Sequence, residues 1–232
     1  MKIVGFEKLS LVDYVSKIAC TVFLGGCNMA CPFCHNSSLV FDYKSLPEIN
    51  KNDILSYLRK REGIIEAICI SGGEPTINND LETFIDEIKE TKILVKLDTN
   101  GTNYKMLTKL LPKLDYVAMD VKNSIKAYPM TSGLPNNANG ILDNIQNSIA
   151  LLKQNKVDYE FRVTLVKEFH NDNSIKELGE LVKGAKRLYL QKFIDRGSCI
   201  TQGLHSVSIE DATRFMEILK EYVSVVELRN YD

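Results

Sequence analysis

Short apolar, β-branched runs alternate with segments of helical period along most of the chain, and few architectures accommodate that rhythm. The runs at 18–24, 67–70, 93–97, 116–119, 161–166, 188–193 and 223–228 have the composition of buried strands. Between them, Leu81, Phe84, Ile85 and Ile88 recur at i, i+3, i+4 and i+7, the stripe that a helix lays against a sheet. Ile141, Ile145, Ile149 and Leu152 form a second stripe, and Ile175, Leu178, Val182 and Ala185 a third. Ala212, Phe215, Met216 and Leu219 form a fourth. Ser174-Ile175-Lys176-Glu177 reads as a capping box opening a helix, with Ser208-Ile209-Glu210-Asp211 a weaker version. Strict β-α alternation predicts a parallel sheet with right-handed crossovers. The expected fold class is therefore α/β: a partial (βα)6 barrel with a mostly parallel sheet and a short C-terminal extension strand. A closed eight-fold barrel typically takes about 250 residues, against 232 here. An open doubly wound sheet is the alternative.

No stretch reads as a linker, so one domain over 1–232 is expected. One connection is long: residues 123–140 are rich in Asn, Pro and Gly, which predicts a functional loop or a short helix, with 122–128 the candidate helix. A net charge of −1 gives no global field for nucleic acid or an anionic membrane. No apolar run approaches the roughly 20 residues that span a bilayer, and the start of the chain has no signal-like segment. Six cysteines in this length are too few for a disulfide scaffold, which predicts a reducing, cytoplasmic compartment.

In parallel β/α folds the active site lies at the C-terminal ends of the strands, and the unusual polar residues fall there in turn. The first run leads to Gly25-Gly26 and three cysteines, Cys27, Cys31 and Cys34. The second leads to Ser71-Gly72-Gly73-Glu74-Pro75, the third to Asp98-Thr99-Asn100-Gly101, and the fourth to Asp120-Val121-Lys122. The cysteine spacing is C-x3-C-x2-C with no fourth cysteine nearby. A four-iron cluster normally takes four thiolates, so three would leave one iron open for chemistry, as a catalytic zinc keeps a position for substrate. A zinc site using His35 as fourth ligand is the alternative, but His35 directly follows Cys34, which is awkward for closing a tetrahedron.

The other polar residues carry two readings each. The Gly72-Gly73 pair is a simple turn or a place where a ligand approaches the backbone, with Glu74 facing a cationic amine. Asp98 to Gly101 is an Asx turn or a ligand loop, and Asp120 and Lys122 are a solvated strand end or part of the site. Arg162 lies inside an apolar strand and must be paired, with a ligand carboxylate or a protein one. Cys20 and Cys69 read as buried small hydrophobes. Cys199, in a polar stretch, is expected at the surface, as are His170 and His205.

At these residues the chain resembles the radical S-adenosylmethionine (SAM) superfamily. The marks are the cysteine motif with Phe33 before its last Cys, and Gly72-Gly73-Glu74-Pro75. The stretches 5–14, 20–23 and 31–36 further resemble activating proteins of anaerobic ribonucleoside-triphosphate reductase. Asp98-Thr99-Asn100-Gly101 and Met119-Asp120-Val121-Lys122 are similar to segments of other glycyl-radical activases. The family pattern has Pro-Gly where Val15-Ser16 stands, and often Phe-Arg where Met29-Ala30 stands.

The resemblance implies that Cys27, Cys31 and Cys34 hold a [4Fe–4S] cluster whose open iron is chelated by the methionine end of SAM. It implies that the backbone of Gly72, Gly73, Glu74 and Pro75 binds the methionine amine. Phe33 to His35 would lie against the adenine, and Lys122 and Arg162 would neutralise the carboxylate. Asp98, Thr99 and Asp120 would orient the ribose and methionine or hold a monovalent cation. The implied activity is reductive cleavage of SAM and abstraction of hydrogen from a glycine of a partner enzyme, here anaerobic ribonucleotide reductase. The cofactor does the hard chemistry and the protein supplies position. Cluster potentials span roughly −700 to +450 mV. Sulfonium reduction needs the low end, which implies a flavodoxin or ferredoxin donor. A small-molecule radical enzyme of modified-base biosynthesis is the alternative.

Overall fold

In the computed structural model, residues 1–195 and 197–231 are described. Eight strands form one sheet in chain order: β1 (Ile3–Ser10), β2 (Ala19–Leu24), β3 (Ala67–Gly72), β4 (Leu94–Thr99), β5 (Tyr116–Asp120), β6 (Asp158–Leu165), β7 (Arg187–Lys192) and β8 (Val225–Arg229). β2 to β8 are parallel neighbours throughout, so six crossovers all step the same way. A doubly wound sheet reverses its order at a switch point, and this one does not. With one hand of crossover, the helices cover one face and the sheet curls around the other. β1 and β8 are the two ends of the sheet, so the barrel is partial.

The crossovers carry α1 (Ser37–Phe41), α2 (Lys51–Lys60), α3 (Leu81–Lys89), α4 (Tyr104–Leu110), α5 (Tyr128–Ser132), α6 (Asn139–Leu152), α7 (Asp172–Val182) and α8 (Ile209–Lys220). The four apolar stripes face inward, and Leu81, Phe84, Ile85 and Ile88 are all buried under α3. On the strands, period-two alternation sends Val95, Leu97, Val117, Met119, Phe161 and Val163 into that helix-covered core. The other face carries Lys96, Asp98, Asp120, Glu160 and Arg162, so the inside of the barrel is polar.

All seven expected runs are strands, but β1 has no counterpart among them. It is a sheet edge antiparallel to β2, contains Gly5, Glu7 and Lys8, and is broken by two register shifts, so neither alternation nor an apolar run marks it. The helix after β6 starts earlier than Ser174: Asn171 is the N-cap, and Ser174 is its partner inside the capping box. Ser208 does cap α8, accepting from Asp211 N. In the long connection the helix is α5, which begins where the candidate 122–128 ends.

The loop between β1 and β2 closes the N-terminal mouth of the barrel. Ser10 Oγ accepts from Val12 N (3.3 Å) and Asp13 N (3.1 Å). Asp13 accepts from Thr21 Oγ1 at 2.6 Å and its carbonyl from Lys96 Nζ. Tyr14 is thereby buried against Tyr116, with ring centroids 5.6 Å apart.

Candidate active site

At the opposite mouth, a cavity of about 390 Å³ opens at the strand C-termini. Cys27, Cys31, Cys34, Phe33, His35, Gly72, Gly73, Asp98, Thr99, Asp120, Lys122 and Arg162 all line it. Glu74 and Pro75 do not; both are buried behind the wall.

The cysteine loop is fixed from several directions. Cys34 N donates to Cys31 O (2.8 Å), Met29 N to Cys27 Sγ (3.5 Å), and Ala30 N to Ser132 O of α5 (3.2 Å). Burial pushes the Cys27 thiol up to about 12. It pushes Cys31 up as well, against the pull of the Lys122 ammonium. Thiols so held must lose their protons to bind iron. Among the described residues no three His, Cys, Asp or Glu side chains converge on a point for one metal ion. The thiols share a cavity without sharing a single-ion site.

Gly72 and Gly73 are glycine because the chain itself fills the Cβ positions. A Cβ on Gly73 would stand 2.0 Å from Gly26 O, and one on Gly72 would stand 2.3 Å from Leu24 O, at a φ of +119°. Gly73 N donates to Leu24 O (2.9 Å) and Glu74 N to Gly26 O (2.8 Å). This stitching brings the cysteine loop and the glycine turn together.

Glu74 corrects the expectation that its side chain faces a ligand amine. Its carboxylate accepts from Thr76 N (3.1 Å), Thr76 Oγ1 (2.5 Å), Thr99 Oγ1 (2.7 Å) and Asn100 N (2.6 Å). Burial raises its pKa, against the hydrogen bonds from Thr76, Asn100 and Thr99. Glu74 is the knot joining the β3 and β4 loops. Asn100 Nδ2 then donates to Asn28 Oδ1 (3.0 Å), and Asn28 Nδ2 to Thr102 Oγ1 (2.8 Å), which ties that knot to the cysteine loop.

Across the polar inside of the barrel runs a ladder of alternating charge. Lys96 Nζ is 3.4 Å from Asp98, Asp98 is 3.2 Å from Arg162, Arg162 is 2.8 Å from Asp120, and Asp120 is 3.0 Å from Lys122. The partners of Arg162 are therefore protein carboxylates, and the β5–β6 register places Asp120 beside it. Burial alone would raise the carboxyls of Asp98 and Asp120. Arg162 overcomes it in both, aided by Lys96 at Asp98 and Lys122 at Asp120, and both lie below the ordinary carboxylate range. Burial would lower Lys122, but Asp120 and Cys31 hold its pKa above the ordinary lysine value. Three cations against two carboxylates leave the ladder with excess positive charge. Its Lys122 end stands 5.8 Å over the Phe33 ring, beside the cysteines.

Two other expectations are corrected. Cys199 is buried, its Sγ 3.7 Å from Phe33 O. His170 is buried, with Nδ1 3.1 Å from both Val166 N and Val166 O and Nε2 3.1 Å from Lys122 O. Cys20 and Cys69 are buried and His205 is exposed, as expected. The cavity also takes in Thr164, Gln191, Lys192 and Asn230 from the last three strands and the segment after them. The rule of polar residues at strand C-termini, carried past β5, finds Thr164, Gln191 and Lys192.

Residues 21–182 match the family described as the Radical SAM superfamily. The chain belongs to the radical SAM superfamily. A provisionally named glycyl-radical enzyme activating enzyme of Methanocaldococcus jannaschii is 34% identical over 194 residues, 82% of this chain and 78% of that protein. A 7-carboxy-7-deazaguanine synthase of Neisseria meningitidis serogroup B is 37% identical over 101 residues, 44% of this chain and 42% of that one. The crystal structure of Streptococcus suis SuiB shares the fold with a TM-score of 0.69 at 16% identity, covering 90% of this chain and 48% of SuiB.

The family brings a [4Fe–4S] cluster and SAM as cofactors. The residues of this radical SAM enzyme fit both. Three thiols that line one cavity suit a cluster, in which each thiolate takes a different iron. The volume lies within the roughly 300–1,000 Å³ of small-molecule sites. The excess cation at Lys122 suits a ligand carboxylate beside the cluster.

Proposed function

We propose that this radical SAM enzyme is an activase that installs a glycyl radical on a partner enzyme, anaerobic ribonucleoside-triphosphate reductase being the partner favoured by the sequence. The observation that carries this reading is the 34% identity to an activase-named relative across 82% of the chain. When bound, the [4Fe–4S] cluster and SAM supply a 5′-deoxyadenosyl radical by one-electron cleavage of the sulfonium C–S bond, with methionine as the other product. Cys27, Cys31 and Cys34 would hold the cluster. Lys122, fixed by Asp120, would meet the methionine carboxylate, and the carbonyl edge of the Gly72-Gly73 turn would meet the amine, since the Gly73 and Glu74 amides are spent on Leu24 and Gly26. Phe33 and His35 would lie toward the adenine. Asp98, Thr99 and Asp120 would orient the ribose and methionine or hold a monovalent cation. A glycine Cα–H of the partner would be the hydrogen-atom donor, with 5′-deoxyadenosine and a glycyl radical as the products. The electron comes from a flavodoxin or ferredoxin in a reducing cytoplasm, and the single domain spans 1–232.

Anaerobic incubation with the reductase, SAM and reductant should produce a doublet glycyl-radical signal in electron paramagnetic resonance. Absence of the doublet while SAM is cleaved would count against the activase reading. A second reading is favoured by the match to 7-carboxy-7-deazaguanine synthase over 101 residues: a small-molecule radical enzyme, whose 5′-deoxyadenosine formation would follow addition of that synthase's substrate and need no protein partner.

A further inference from the structure

The sheet stops short of Lys122. The last backbone rung between β5 and β6 is Val121 N donating to Arg162 O (2.9 Å), and the paired register ends at Asp120 and Arg162. The main chain of Lys122 is held instead by the turn after β6. Val166 O accepts from both Phe169 N (3.1 Å) and His170 N (3.0 Å), which folds residues 166–170 back on themselves. From that turn His170 Nε2 reaches Lys122 O (3.1 Å), and Phe169 O accepts from Asn123 Nδ2 (2.9 Å). The Phe169 ring stands 6.3 Å from that of Phe33, over which the Lys122 ammonium lies. The turn is tied down from its other side: Lys167 N donates to His205 O (2.9 Å) and His205 N to Glu168 Oε2 (3.0 Å). Lys122 is thus bracketed by bonds at the residue before it, at its own carbonyl and at the residue after it.

We infer that His170 is a positioning residue for SAM: its Nε2–H holds the Lys122 main chain so that the ammonium stays beside the cysteines, where a ligand carboxylate is to be met. The inference rests on the reading of Lys122 as the partner of that carboxylate. A carbonyl oxygen only accepts, so the ring nitrogen facing Lys122 O carries a hydrogen. In the neutral ring Nδ1 is then bare, and it accepts from Val166 N at 3.1 Å. Both ring nitrogens of a buried side chain are thereby satisfied by main chain alone. A lysine places its charge at the end of a flexible four-carbon stem, so the charge is fixed only as well as the main chain that carries it. The salt bridge to Asp120 fixes the tip of that stem at 3.0 Å, and the imidazole fixes its root.

The test compares wild type, His170→Gln, His170→Asn, Lys122→Met and the double variant carrying both Lys122→Met and His170→Asn, each anaerobically reconstituted with its cluster. A glutamine amide nitrogen reaches where Nε2 stands and can donate to Lys122 O, whereas an asparagine side chain reaches only as far as Nδ1 and keeps Val166 N alone. SAM affinity, read by equilibrium dialysis without reductant so that no cleavage occurs, should weaken about tenfold or more in His170→Asn and in Lys122→Met. His170→Gln should stay within about threefold of wild type. Once SAM is saturating, kcat for its cleavage should agree within about twofold between both His170 variants and wild type. The double variant should bind SAM within about twofold of Lys122→Met, because the histidine acts through the lysine. Undiminished affinity in His170→Asn, an equal loss in His170→Gln, or multiplied losses in the double variant would each overturn the positioning role and leave the reading of Lys122 standing. Unchanged affinity in Lys122→Met would overturn both. Should His170→Asn fail to hold its cluster, long-range proton–nitrogen correlation spectra of the oxidised wild-type enzyme carry the test. The imidazole signal that disappears in His170→Gln should be that of the Nε2–H tautomer, and an Nδ1–H tautomer would overturn the bond to Lys122.

Discussion

The two mouths of this barrel are built from the same strands and have opposite fates. At the N-terminal mouth, Asp13 and Tyr14 of the β1–β2 loop meet Lys96 and Tyr116 of the strands, and their hydrogen bonds and rings close the opening. At the C-terminal mouth the loops carry cysteines and glycines, their polar groups are bound to one another in the wall, and a cavity is left. The charge ladder from Lys96 to Lys122 joins the two. One end of it is spent on a backbone carbonyl, while the other is held against the cysteines. Stability is thus shared between the mouths, and chemistry is confined to one.

The largest effect that would sharpen this contrast is at the cysteines. Serine at Cys27, Cys31 or Cys34 should reduce SAM cleavage to background and abolish iron uptake, while circular dichroism shows the fold retained. Arg162→Met strikes the ladder where both mouths depend on it. Asp98 and Asp120 would keep Lys96 and Lys122 but each would lose its guanidinium partner in a buried setting, which should cost about 3 kcal/mol by urea denaturation at pH 7. The pH dependence fixes the sign. In wild type, Asp98 and Asp120 have folded pKa values below their unfolded ones, so their contribution is present above about pH 4 and is lost as pH falls toward the folded values. Without Arg162, burial pushes both carboxyls up, and protonation then relieves the variant. Its deficit against wild type should shrink between pH 7 and pH 4; a deficit that widens in acid would remove Arg162 from the ladder.

Glu74→Ala tests whether the wall of the open mouth is held from behind. It strands the Thr76 and Asn100 amides and the Thr99 hydroxyl, and should cost about 3 kcal/mol together with most of the SAM affinity. If SAM binds normally to the variant, the cavity does not depend on that knot. A smaller effect is expected at His170, which burial holds below its ordinary pKa against hydrogen bonds to Val166 and Lys122. The unfolded chain binds the extra proton, so stability should fall as pH drops below about 6.5, by at most about 1.4 kcal/mol at pH 5.5. His170→Gln should flatten that slope in thermal melts. The smallest effect is at the closed mouth: Val12→Asp should change stability by less than about 0.5 kcal/mol.

Much of this contrast was legible in the order of residues. Strands buried on both faces announce themselves as apolar runs, and position at the C-terminal end of a strand marks Cys27, Gly72, Asp98 and Asp120. The same position on β6 and β7 belongs to Thr164 and Gln191, which line the cavity too. β1 escaped because an edge strand with Gly5, two charges and two register shifts has no period to read. Asn171 escaped because the four residues from Ser174 offered a competing cap. His170 and Cys199 were misplaced because the burial of a loop residue depends on what crosses over it, and that contact is remote in sequence.

The sequence by itself determined the parallel winding, the helix-covered core and the collinear set of sulfur, glycine and carboxylate groups, because periodicity and strand-end position are local properties. Only the tertiary structure decided that Glu74 turns inward, that Arg162 answers to two protein carboxylates, and that residues 197–209 lie along the cysteine loop. Which polar partners a buried group finds is set by the closing of the sheet, where groups many residues apart are brought within hydrogen-bond distance and must satisfy one another or forfeit the water they left.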